Sequence, residues 1–532
     1  MTLLLGKAVP VTSSLQIENI RETKFSDIMR LPVEERTLWL KACKEEMASL
    51  RERDVYEIVD RPKNCRVVKN RWVFDLKTDG RKKARLVAKG FSQIPDLDYD
   101  QIFSPVVRYE TVRIMLAVCS LDDWIIEALD VKTAFLYGKL DETIYMELPE
   151  GMSLDYGKPG AKVMLLKRAL YGLKQAARQW WLELRRSMKK LGFGRCYSDC
   201  GMFVLRTKNG KVVIALIYVD DGLFVGNDPE FVKAKKAEFM AMWECRDLGA
   251  CKEFLRMDIT RSKGKITIDQ SNYLMKVLKR FEMDSAKPVQ TPLPEGYIPL
   301  PSTEPVNKPR QTLFQQIIGS LLYLALGTRP DIAYAVAKMS QMASNPTKDH
   351  VDKALRICAY LNGSRDLKIT YDGSSRQGLI GFTDADWGGD AGNKHKSQTG
   401  FVFTLANGAV FWESRAQKTI AMSSTESEYM AASDCASQAA WADNLFIEAM
   451  LPDQKPIPIN CDNEAAIFNA QNPVTNRKTK HIALQFHRIR DYIDEGKIHL
   501  YHIDGKENPA DLLTKSLGPL LFHKFRPQFG LN

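Results

Sequence analysis

The sequence predicts a multidomain α+β protein, and three observations lead to that class. The chain has 532 residues, which is too long for one ordinary hydrophobic core. Segments with strand-like alternation and segments with helical periodicity follow one another, without an internal repeat of solenoid length. Seven prolines between residues 284 and 312 interrupt both patterns and predict an interdomain linker there. We therefore expect roughly two to four domains.

The composition is that of a soluble globular protein with a basic balance. Hydrophobic residues make up 45% of the chain and charged residues 27%. Lys and Arg number 76 against 65 for Asp and Glu, which favours a polyanionic partner or an acidic membrane surface. The ten cysteines contain no CxxC pair and no complete zinc set. No secretory signal or membrane-length apolar run is seen, so we expect a soluble intracellular protein.

The N-terminal half alternates between helical and strand-like segments. Apolar spacing predicts a helix over about 34–53, with Leu38, Ala42, Met47 and Leu50 roughly on one face. The Asp79-Gly80 dipeptide between alternating segments predicts a hairpin. Beyond it we predict a buried helix over 111–121, a strand opening 124–135, a helix over most of 163–192, and two apolar strands joined by a turn in 211–226.

The C-terminal half begins with a helical region over 313–362 and then changes pattern. Its predicted elements are strands 378–384, 398–404 and 408–413, helix 424–449, strand 456–461, helices 463–470 and 480–494, strand 497–503 and helix 507–515. This mixed order is typical of a domain built on a central sheet.

Three aspartates in the N-terminal half are candidates for a metal site. Asp220 and Asp221 lie between two apolar strands, and Asp130 lies at the end of a third. An Asp-Gly pair alone favours an ordinary hairpin turn. A third carboxylate on a separate strand end favours a pair of Mg²⁺ ions, because hard cations prefer carboxylate oxygens and phosphoryl transfer uses two metals.

Four acids in the C-terminal half form a second candidate set. Asp384 ends the first predicted strand, Glu428 lies in the first long helix, Asp462 ends the fourth strand, and Asp511 lies in the last helix. Each acid alone is typical of a solvated surface. Asp386 and Glu426 are nearby alternatives, since strand alternation turns Asp386 to the same face as Asp384.

Ten motifs occur along the chain in a fixed order. They are KARLVAKGF (83–91), FSPVVR (103–108), LDVKTAFLYGKLDETIYMELPEG (129–151), LKRALYGLKQAARQWW (166–181), YVDDGLFVG (218–226), IGSLLYLALGTRPDIAYAV (318–336), TDADWGGD (383–390), SSTESEYMA (423–431), CDNEAAI (461–467) and ADLLTK (510–515). In these motifs the chain, from about residue 35 to 517, resembles the reverse transcriptase and ribonuclease H portion of copia-type LTR-retrotransposon polyproteins.

The resemblance implies a right-hand polymerase with fingers, palm and thumb, a connection region, and a mixed α/β ribonuclease H-like domain. The implied boundaries are a leader (1–34), fingers and palm (35–225), palm end and thumb (226–283), Pro-rich linker (284–312), helical connection (313–375), ribonuclease H-like domain (376–517) and tail (518–532).

The resemblance also implies roles for individual residues of the polymerase half. Asp130, Asp220 and Asp221 match the family's metal-binding palm aspartates. Four further residues match nucleotide-binding positions: the triphosphate-binding arginine is Arg85, the aromatic that excludes a 2′-hydroxyl is Phe135, and the segment under the nascent base pair contains Gly172 and Lys174. Core packing is the alternative for Phe135, and a solvated hairpin charge is the alternative for Arg85.

In the C-terminal half the resemblance assigns Asp384, Glu428, Asp462 and Asp511 to the two-metal site of a ribonuclease H. His502 falls where some such enzymes have a product-release histidine. The basic run 476–490, with Lys480, His487 and Arg488, is either a contact for hybrid backbone or a solvated helix face.

The function implied is an RNA-directed DNA polymerase with ribonuclease H activity, dependent on Mg²⁺ with Mn²⁺ as an alternative. Its partners would be an RNA template, a DNA primer, RNA–DNA hybrid, deoxynucleoside triphosphates and other products of the polyprotein, without a membrane. Cytoplasmic location, in a virus-like particle where the full element is present, or nuclear location is expected.

Two alternative functions remain. One is a catalytically decayed relic that binds nucleic acid, and the other is a nuclease whose polymerase half is only a scaffold. Arg256 stands at a strand position where glycine is usual in the family and Ala177 where proline is usual. The Arg256 departure is what makes a decayed copy an alternative, whereas retention of all seven acids argues against loss of the metal sites.

Overall fold

The computed structural model describes residues 20, 23–76, 80–95, 98–99, 101–152, 160–390, 395–472 and 484–532. Over these residues it is a mixed α/β structure, as the sequence predicts. The predictions for most of the leader, for Asp79 and for Lys480 lie outside the described residues.

The helices and strands follow in chain order. The helices are α1 (Phe25–Ile28), α2 (Val33–Glu52), α3 (Tyr109–Leu121), α4 (Ala176–Lys190), α5 (Pro229–Met242), α6 (Ser271–Arg280), α7 (Lys308–Gly327), α8 (Ala333–Ser340), α9 (Lys348–Asn362), α10 (Ser424–Glu448), α11 (Glu464–Gln471), α12 (Arg488–Asp494) and α13 (Pro519–Phe525). The strands are β1 (Tyr56–Asp60), β2 (Val67–Val68), β3 (Asn70–Leu76), β4 (Lys82–Ala88), β5 (Ile125–Val131), β6 (Lys139–Met146), β7 (Lys162–Arg168), β8 (Gly194–Arg195), β9 (Met202–Arg206), β10 (Val212–Tyr218), β11 (Asp221–Gly226), β12 (Cys245–Ala250), β13 (Glu253–Phe254), β14 (Met257–Ser262), β15 (Lys265–Asp269), β16 (Ile369–Asp372), β17 (Ile380–Asp390), β18 (Lys396–Leu405), β19 (Gly408–Ala416), β20 (Ile457–Cys461) and β21 (Ile498–His502).

The chain divides into two compact units. The first comprises the described residues up to 105 and residues 133–186, and the second comprises residues 106–132 and the described residues from 187 to 532. Each unit has its own hydrophobic core.

The first unit contains a four-stranded sheet in the order β1-β7-β6-β2 and the hairpin β3–β4. The hairpin pairs from Asn70 opposite Ala88 to Leu76 opposite Lys82, which confirms the predicted hairpin. Helix α2 also forms where predicted, but Leu38 is 54% exposed while Trp39 is 1% exposed. The predicted apolar face was therefore wrong by one residue at this point. The buried residue is Trp39 and not Leu38, because the Trp39 indole packs edge-on against Phe74 of the hairpin.

The segment 163–192 differs from its predicted form. Its first part is strand β7, which pairs with β1 and β6, and only the part from Ala176 onward is helix α4. The helix prediction was wrong for 163–168 because Val163, Met164 and Leu166 are buried in the sheet, so a run of apolar residues does not distinguish strand from helix.

The second unit contains a six-stranded sheet, the central sheet, in the order β12-β5-β11-β10-β9-β8. The predicted apolar pair of strands is β10 and β11, which pair antiparallel in its middle. The predicted helix α3 packs in this unit with residues 111–120 all buried. Buried strands with apolar side chains on both faces explain the long hydrophobic run at 212–217.

The proline-rich stretch separates the central sheet from three helices. Between α6 and α7, residues 281–307 contain no α-helix or β-strand. The predicted linker over 284–312 was wrong at its end, because residues 308–312 already belong to α7 and its proline occupies the first turn, where no backbone N–H is needed. Helix α7 begins after Asn307, whose side chain accepts from the Arg310 backbone N–H, with a proline in its first turn. Beyond α9, strand β16 pairs with β15 and completes a four-stranded sheet in the order β13-β14-β15-β16.

The C-terminal sheet has the order β19-β18-β17-β20-β21. Strands β17, β18 and β19 are antiparallel, whereas β20 and β21 run parallel to β17. Asp384 lies inside the long strand β17 and not at its end, which corrects the prediction. The predicted last helix is two short 3₁₀ turns, of which Pro509–Leu513 contains Asp511.

The segment expected to be a tail is part of the fold. Residues 519–525 form α13, and Phe525, Phe529 and Leu531 are at most 1% exposed. These side chains belong to one apolar core that extends from Val107 to the end of the chain. Among the described helices, none is long and apolar enough to cross a membrane.

Candidate active sites

The first acid set lies at one end of the central sheet. Asp221 begins β11, and its Cα partner on the neighbouring strand β5 is Asp130. The Val131 backbone N–H donates to the Asp220 carbonyl at 2.7 Å, which fixes the hairpin tip beside the end of β5. The structure thus brings together three acids that are separated by 90 residues in the chain.

The geometry of the hairpin tip decides whether Asp221 and Gly222 form an ordinary Asp-Gly turn. The turn between β10 and β11 consists of Val219 and Asp220, and Gly222 lies inside β11 opposite Leu129. Val219 has φ +57°, a left-handed conformation that is unfavourable for a β-branched residue. The acids are therefore not positioned by an ordinary Asp-Gly turn. Backbone strain like that at Val219 is typical of functional sites.

The three acids repel one another. The pKa of Asp221 is raised to about 7, first by burial and then by the charges of Asp220 and Asp130. The charge of Arg256 offsets only part of this repulsion, and like charges held this close favour binding of a divalent cation.

The second acid set forms a tight cluster in the C-terminal sheet. Carboxylate oxygens of Asp384, Asp462 and Asp511 all lie within 4.8 Å of one another. Asp384 is 1% exposed, so at least one member of the cluster has little access to bulk water. The pKa values of Asp462 and Asp511 are raised, in each case first by burial and then by the charge of Asp384.

Glu428 of helix α10 adjoins this cluster through Asp462, since ligand atoms of Glu428, Cys461 and Asp462 lie within 4.8 Å of one another. Its side chain is 6% exposed, and its Oε2 atom is buried without a hydrogen-bond partner in the described part of the chain. Its pKa is strongly raised, first by burial and then by Asp384 and Asp462. A buried carboxylate oxygen that faces other carboxylates and accepts no hydrogen bond fits a metal ligand, because a bound cation would satisfy it.

Two residues of this cluster were missed by the sequence analysis. The Lys515 ammonium lies 2.6 Å from an Asp511 carboxylate oxygen and 3.4 Å from one of Asp384, and its pKa is raised because these charges outweigh burial. The Thr514 hydroxyl donates to Asp384. Both residues belong to the motif ADLLTK, and the four-residue spacing of Asp511 and Lys515 was the available signal.

The alternative acids serve other contacts. Glu426 accepts from the Met422 backbone N–H at 2.7 Å at the start of α10. In the described residues, Asp386 is not one of the acids whose ligand atoms cluster within 4.8 Å. His502 is exposed and is the strand partner of Cys461, next to Asp462. The His487 ring bonds to the Tyr429 hydroxyl at 2.9 Å, so it is not a freely solvated side chain.

The four predicted nucleotide-binding residues all lie in the first unit. Arg85 is on β4, where its guanidinium lies 3.7 Å from the Asp75 carboxylate. Phe135 is half-buried and packs edge-on against Tyr171 with ring centroids 5.6 Å apart. Phe135 is therefore neither a fully buried core residue nor a solvated one.

Gly172 and Lys174 lie in the turn between β7 and α4. Gly172 has φ +88°, and a Cβ there would lie 2.1 Å from the Ala88 carbonyl oxygen, so only glycine fits this close approach. The Lys174 ammonium donates to the Tyr99 hydroxyl at 3.1 Å. A phosphate contact by Lys174 would therefore replace or share this bond.

Comparison with known proteins identifies the family. The family described as "Reverse transcriptase (RNA-dependent DNA polymerase)" matches residues 53–295. The chain is 39% identical over 526 residues to the retrovirus-related Pol polyprotein from transposon TNT 1-94 of Nicotiana tabacum, which is 96% of this chain and 39% of that polyprotein. It is 37% identical over 477 residues to the Pol polyprotein from transposon RE1 of Arabidopsis thaliana, which is 88% of this chain and 32% of that polyprotein.

A shorter relative is covered almost completely. A transposon Ty5-1 protein of Saccharomyces cerevisiae is 34% identical over 312 residues, which is 58% of this chain and 98% of that protein. The chain belongs to the reverse transcriptase family of copia-type transposon Pol polyproteins. It spans between about a third and two fifths of the length of the plant polyproteins that it matches.

A solved structure is similar over much of the chain. It is described as "Structure of the foamy viral protease-reverse transcriptase dRH in complex with ds DNA", and it covers 87% of this chain and 69% of its own. The TM-score is 0.46 and the sequence identity is 11%, so this likeness is too weak to define the fold.

Proposed function

We propose that this chain is an RNA-directed DNA polymerase that also hydrolyses the RNA strand of RNA–DNA hybrids. The observation that carries the proposal is the presence in the second unit of two separate acid sets, each assembled from distant parts of the sequence. The first is Asp130 with Asp220 and Asp221, and the second is Asp384 with Glu428, Asp462 and Asp511.

Both sets have the donor chemistry for hard divalent cations. In each set the pKa of at least one carboxyl group is raised, first by burial and then by the charges of the other acids. In the second set a buried Glu428 oxygen accepts no hydrogen bond among the described residues. Mg²⁺, with Mn²⁺ as an alternative, would supply positive charge that activates a hydroxyl or water nucleophile and stabilises the leaving oxygen. The acids' role is to hold that charge in a fixed place.

In the polymerase reaction the first unit would bind the incoming nucleotide. Arg85 can offer a bidentate guanidinium to its triphosphate once the contact with Asp75 is exchanged. Phe135, half-buried against Tyr171, presents a rigid edge that would exclude a ribose 2′-hydroxyl. The close backbone approach at Gly172 would leave a flat surface beneath the new base pair.

In the nuclease reaction Lys515 would have a second role beside the acids. Its ammonium holds the carboxylates of Asp511 and Asp384 together when cations are absent. When cations bind, the same charge becomes available to a phosphate oxygen of the RNA strand. Thr514 fixes the Asp384 carboxylate by its hydroxyl donor.

The proposal includes a domain layout. The first unit would contain the fingers, and the central sheet with the acid set would be the palm. The order β19-β18-β17-β20-β21, with three antiparallel strands and two parallel ones, supports a ribonuclease H-like domain. The partners would be RNA template, DNA primer, hybrid and deoxynucleoside triphosphates, and the cytoplasm or a virus-like particle is the place where such partners meet.

Primer extension on a homopolymeric RNA template with Mg²⁺ tests the proposal. Wild type should incorporate deoxynucleotides and cleave the RNA of a preformed hybrid. The double variant Asp220→Asn, Asp221→Asn should lose synthesis by at least about a thousandfold and keep cleavage, whereas Glu428→Gln should do the reverse. Glu495→Gln, an exposed acid paired with Lys497, is the control for substitution of a carboxylate.

Each outcome decides between the candidate functions. Hybrid cleavage without any incorporation by wild type would leave a nuclease with a scaffold in place of a polymerase. Loss of both activities in either variant would show that the two acid sets do not act independently, and an active Glu428→Gln nuclease would remove α10 from the site.

A further inference from the structure

A thiol lies among the acids of the C-terminal sheet. Cys461 is the last residue of β20, directly before Asp462, and its side chain is fully buried. The Cys461 sulfur, a carboxylate oxygen of Glu428 and one of Asp462 lie within 4.8 Å of one another. The proposed reactions do not use this sulfur, because phosphoryl transfer with Mg²⁺ relies on oxygen ligands.

Two groups of possible ligands therefore meet at Asp462. One consists of Asp384, Asp462 and Asp511 and offers only oxygen atoms, whereas the other consists of Glu428, Cys461 and Asp462 and includes a sulfur. Hard cations such as Mg²⁺ prefer the all-oxygen group, and thiophilic cations such as Zn²⁺ prefer the group with the thiol. Because Asp462 is common to both groups, cations in the two groups compete for the same carboxylate.

The spacing of Glu428, Cys461 and Asp462 suits a small cation. Zinc lies about 2.0–2.3 Å from its oxygen and sulfur ligands, so two ligands of one ion are at most about 4.5 Å apart. Separations within 4.8 Å need only a small closure of the side chains to meet this limit. Asp462 is partly exposed, which leaves the group open to solvent on one side.

Two buried polar atoms beside this group have no hydrogen-bond partner in the described part of the chain. One is Glu428 Oε2, and the other is the hydroxyl oxygen of Thr383, a residue of β17 that is fully buried. Thr383 is the Cα partner of Cys461, so the two side chains lie on the same face of the sheet. Buried polar atoms normally have partners, and a cation bound to Glu428 would supply one.

Cys461 is a neutral thiol unless a cation binds it. Burial raises the pKa of its thiol, and the charge of Glu428 raises it further. A thiophilic cation binds the sulfur as a thiolate, so the S–H bond breaks, a metal–sulfur bond forms and the proton passes to solvent. Mg²⁺ gains little from a sulfur ligand and would leave the thiol protonated.

We propose that Glu428, Cys461 and Asp462 form a second cation site, selective for thiophilic divalent ions such as Zn²⁺, whose occupation stops hybrid cleavage. An ion held there would deprive the proposed Mg²⁺ site of two of its four acids. The effect on cleavage rests on the proposed function, whereas binding of the ion does not.

Co²⁺ tests the binding in the full chain, because it occupies zinc sites and absorbs strongly when a thiolate is bound to it. Metal-free wild type should give this thiolate-to-cobalt absorbance, and excess Mg²⁺ should leave it in place. Cys461→Ser should lose it. Cys358→Ser is the control and should keep it, since Cys358 is a fully buried thiol of α9 that belongs to neither group of ligands.

Glu428→Gln tests whether the carboxylate takes part. Its Co²⁺ affinity should fall by about tenfold or more while the absorbance at saturation remains, because an amide is a weaker ligand and the sulfur is unchanged. Absorbance of equal strength in Cys461→Ser, or none in wild type, would overturn the proposal, as would wild-type affinity in Glu428→Gln. If Cys461→Ser does not fold, Cys461→Ala takes its place, since it buries no hydroxyl group.

Hybrid cleavage at constant Mg²⁺ tests the consequence. Each variant is compared with its own rate in the absence of Zn²⁺, and Ca²⁺ serves as a hard competitor. Zn²⁺ should inhibit Cys461→Ser only at concentrations about tenfold or more above those that inhibit wild type and Cys358→Ser. Ca²⁺ should inhibit all three proteins alike, because it prefers the oxygen ligands that they share.

Equal Zn²⁺ inhibition of wild type and Cys461→Ser would overturn the effect on cleavage. An equal shift with Ca²⁺ would show a general loss of metal affinity and would count against a sulfur ligand. If wild type cleaves no hybrid in Mg²⁺, the proposed function fails, and the Co²⁺ absorbance still decides whether the second cation site exists.

Discussion

Lys515 shows how a single residue can balance a cluster of acids. Its ammonium contacts Asp511 and Asp384, so in the metal-free protein it offsets part of their repulsion. A cation that binds these acids must compete with this internal charge.

Lys515→Met should therefore lower the thermal stability of the metal-free protein and enlarge its stabilisation by Mg²⁺. We expect the unfolding temperature in EDTA to fall by roughly 2–4 °C. The matched control is Lys524→Met, since Lys524 pairs with Glu507 at the surface at 2.6 Å. An equal Mg²⁺ effect in wild type and Lys515→Met would show that the lysine does not compete with the metal.

Phe135 carries a prediction about sugar selection. Replacing it by Val should admit ribonucleotides, with discrimination falling by about 10- to 100-fold, because the edge that meets the 2′-hydroxyl becomes shorter. Steady-state incorporation of a ribonucleotide against its deoxynucleotide measures this. Phe468→Ala, at a 62% exposed position, is the control. Unchanged discrimination would make Phe135 a packing residue only.

At the residue scale the sequence located the acids but not their partners. Asp221 and Asp384 stand in motifs specific enough to recognise, whereas Lys515 acquires its role only through two carboxylates, one of which is 131 positions away. A side chain that acts through contacts distant in sequence leaves no local pattern. The backbone strain at Val219 could not be predicted for a different reason, since residue types alone do not determine backbone dihedral angles.

At the scale of an element, the β13–β14 hairpin is a second case in which the backbone conformation could not be predicted from residue types. Arg256, expected inside a strand, lies in a two-residue turn in which Leu255 has φ +51° and Arg256 φ +58°. Both positions are left-handed, a conformation that glycine and asparagine tolerate best. The left-handed geometry of this turn therefore explains why glycine is usual in the family at the position of Arg256.

Arg256→Gly should stabilise the protein by about 1 kcal/mol, because it relieves one left-handed side chain. The control is Ser262→Gly in β14, where the same change should destabilise an extended strand. Chemical denaturation of both variants measures the difference. A destabilised Arg256→Gly would mean that the arginine side chain makes contacts worth more than the strain.

Helix α13 gives a second test for an element. Phe525 is fully buried and Leu520 on the same short helix is 85% exposed. Phe525→Ala should cost about 3–5 kcal/mol of unfolding free energy. Leu520→Ala should change it by less than about 0.5 kcal/mol. Similar effects of the two substitutions in denaturant titrations would show that the segment is not part of the core.

Long segments of helix-forming residues were predicted well, and short apolar ones were not. Helix α10 begins at its predicted residue and ends one residue early, because its 25 residues include six alanines and no glycine or proline. The helix prediction over strand β7 was wrong because its four apolar residues, 163–166, follow one another without alternation. The phenylalanines at 522, 525 and 529 have helical spacing, a signal that the predicted tail over 518–532 did not use.

At the scale of the whole molecule the acid sets give stability a pH dependence. The pKa of Asp221 is raised from 3.8 to about 7, so between these values the folded protein holds a proton that the unfolded chain has lost. Unfolding free energy should therefore fall as the pH rises from about 4 to 7 and stay low above it.

Asp221→Asn removes this contribution. Its stability relative to wild type should grow by about 1 kcal/mol between pH 5 and pH 8 in EDTA, less than the full shift implies because the site is partly open to solvent. Thermal unfolding at several pH values, with and without Mg²⁺, measures it. Mg²⁺ should stabilise wild type more than the variant, and a constant difference across pH would contradict the raised pKa.

The overall order of elements followed from the sequence, while their packing did not. Arg113 of α3 donates to the Val410 carbonyl and lies against the Trp412 ring of β19. Arg113 and Val410 are separated by 297 residues, and nothing in either segment indicates the other. The same holds for Glu448, which accepts the Tyr197 backbone N–H across 251 residues. Contacts of this kind depend on the whole fold being in place.

The continuous core of the second unit has a consequence for biosynthesis. Helix α3 leaves the ribosome about three hundred residues before the carbonyl of Val410 and the ring of Trp412 that enclose its arginine. The buried side chains of Phe529 and Leu531 follow later still. The nascent chain must therefore carry an incomplete core, open to chaperones and proteases, until these residues have been translated. Neither acid set has its complete surroundings before that point, so nascent chains should remain inactive until then.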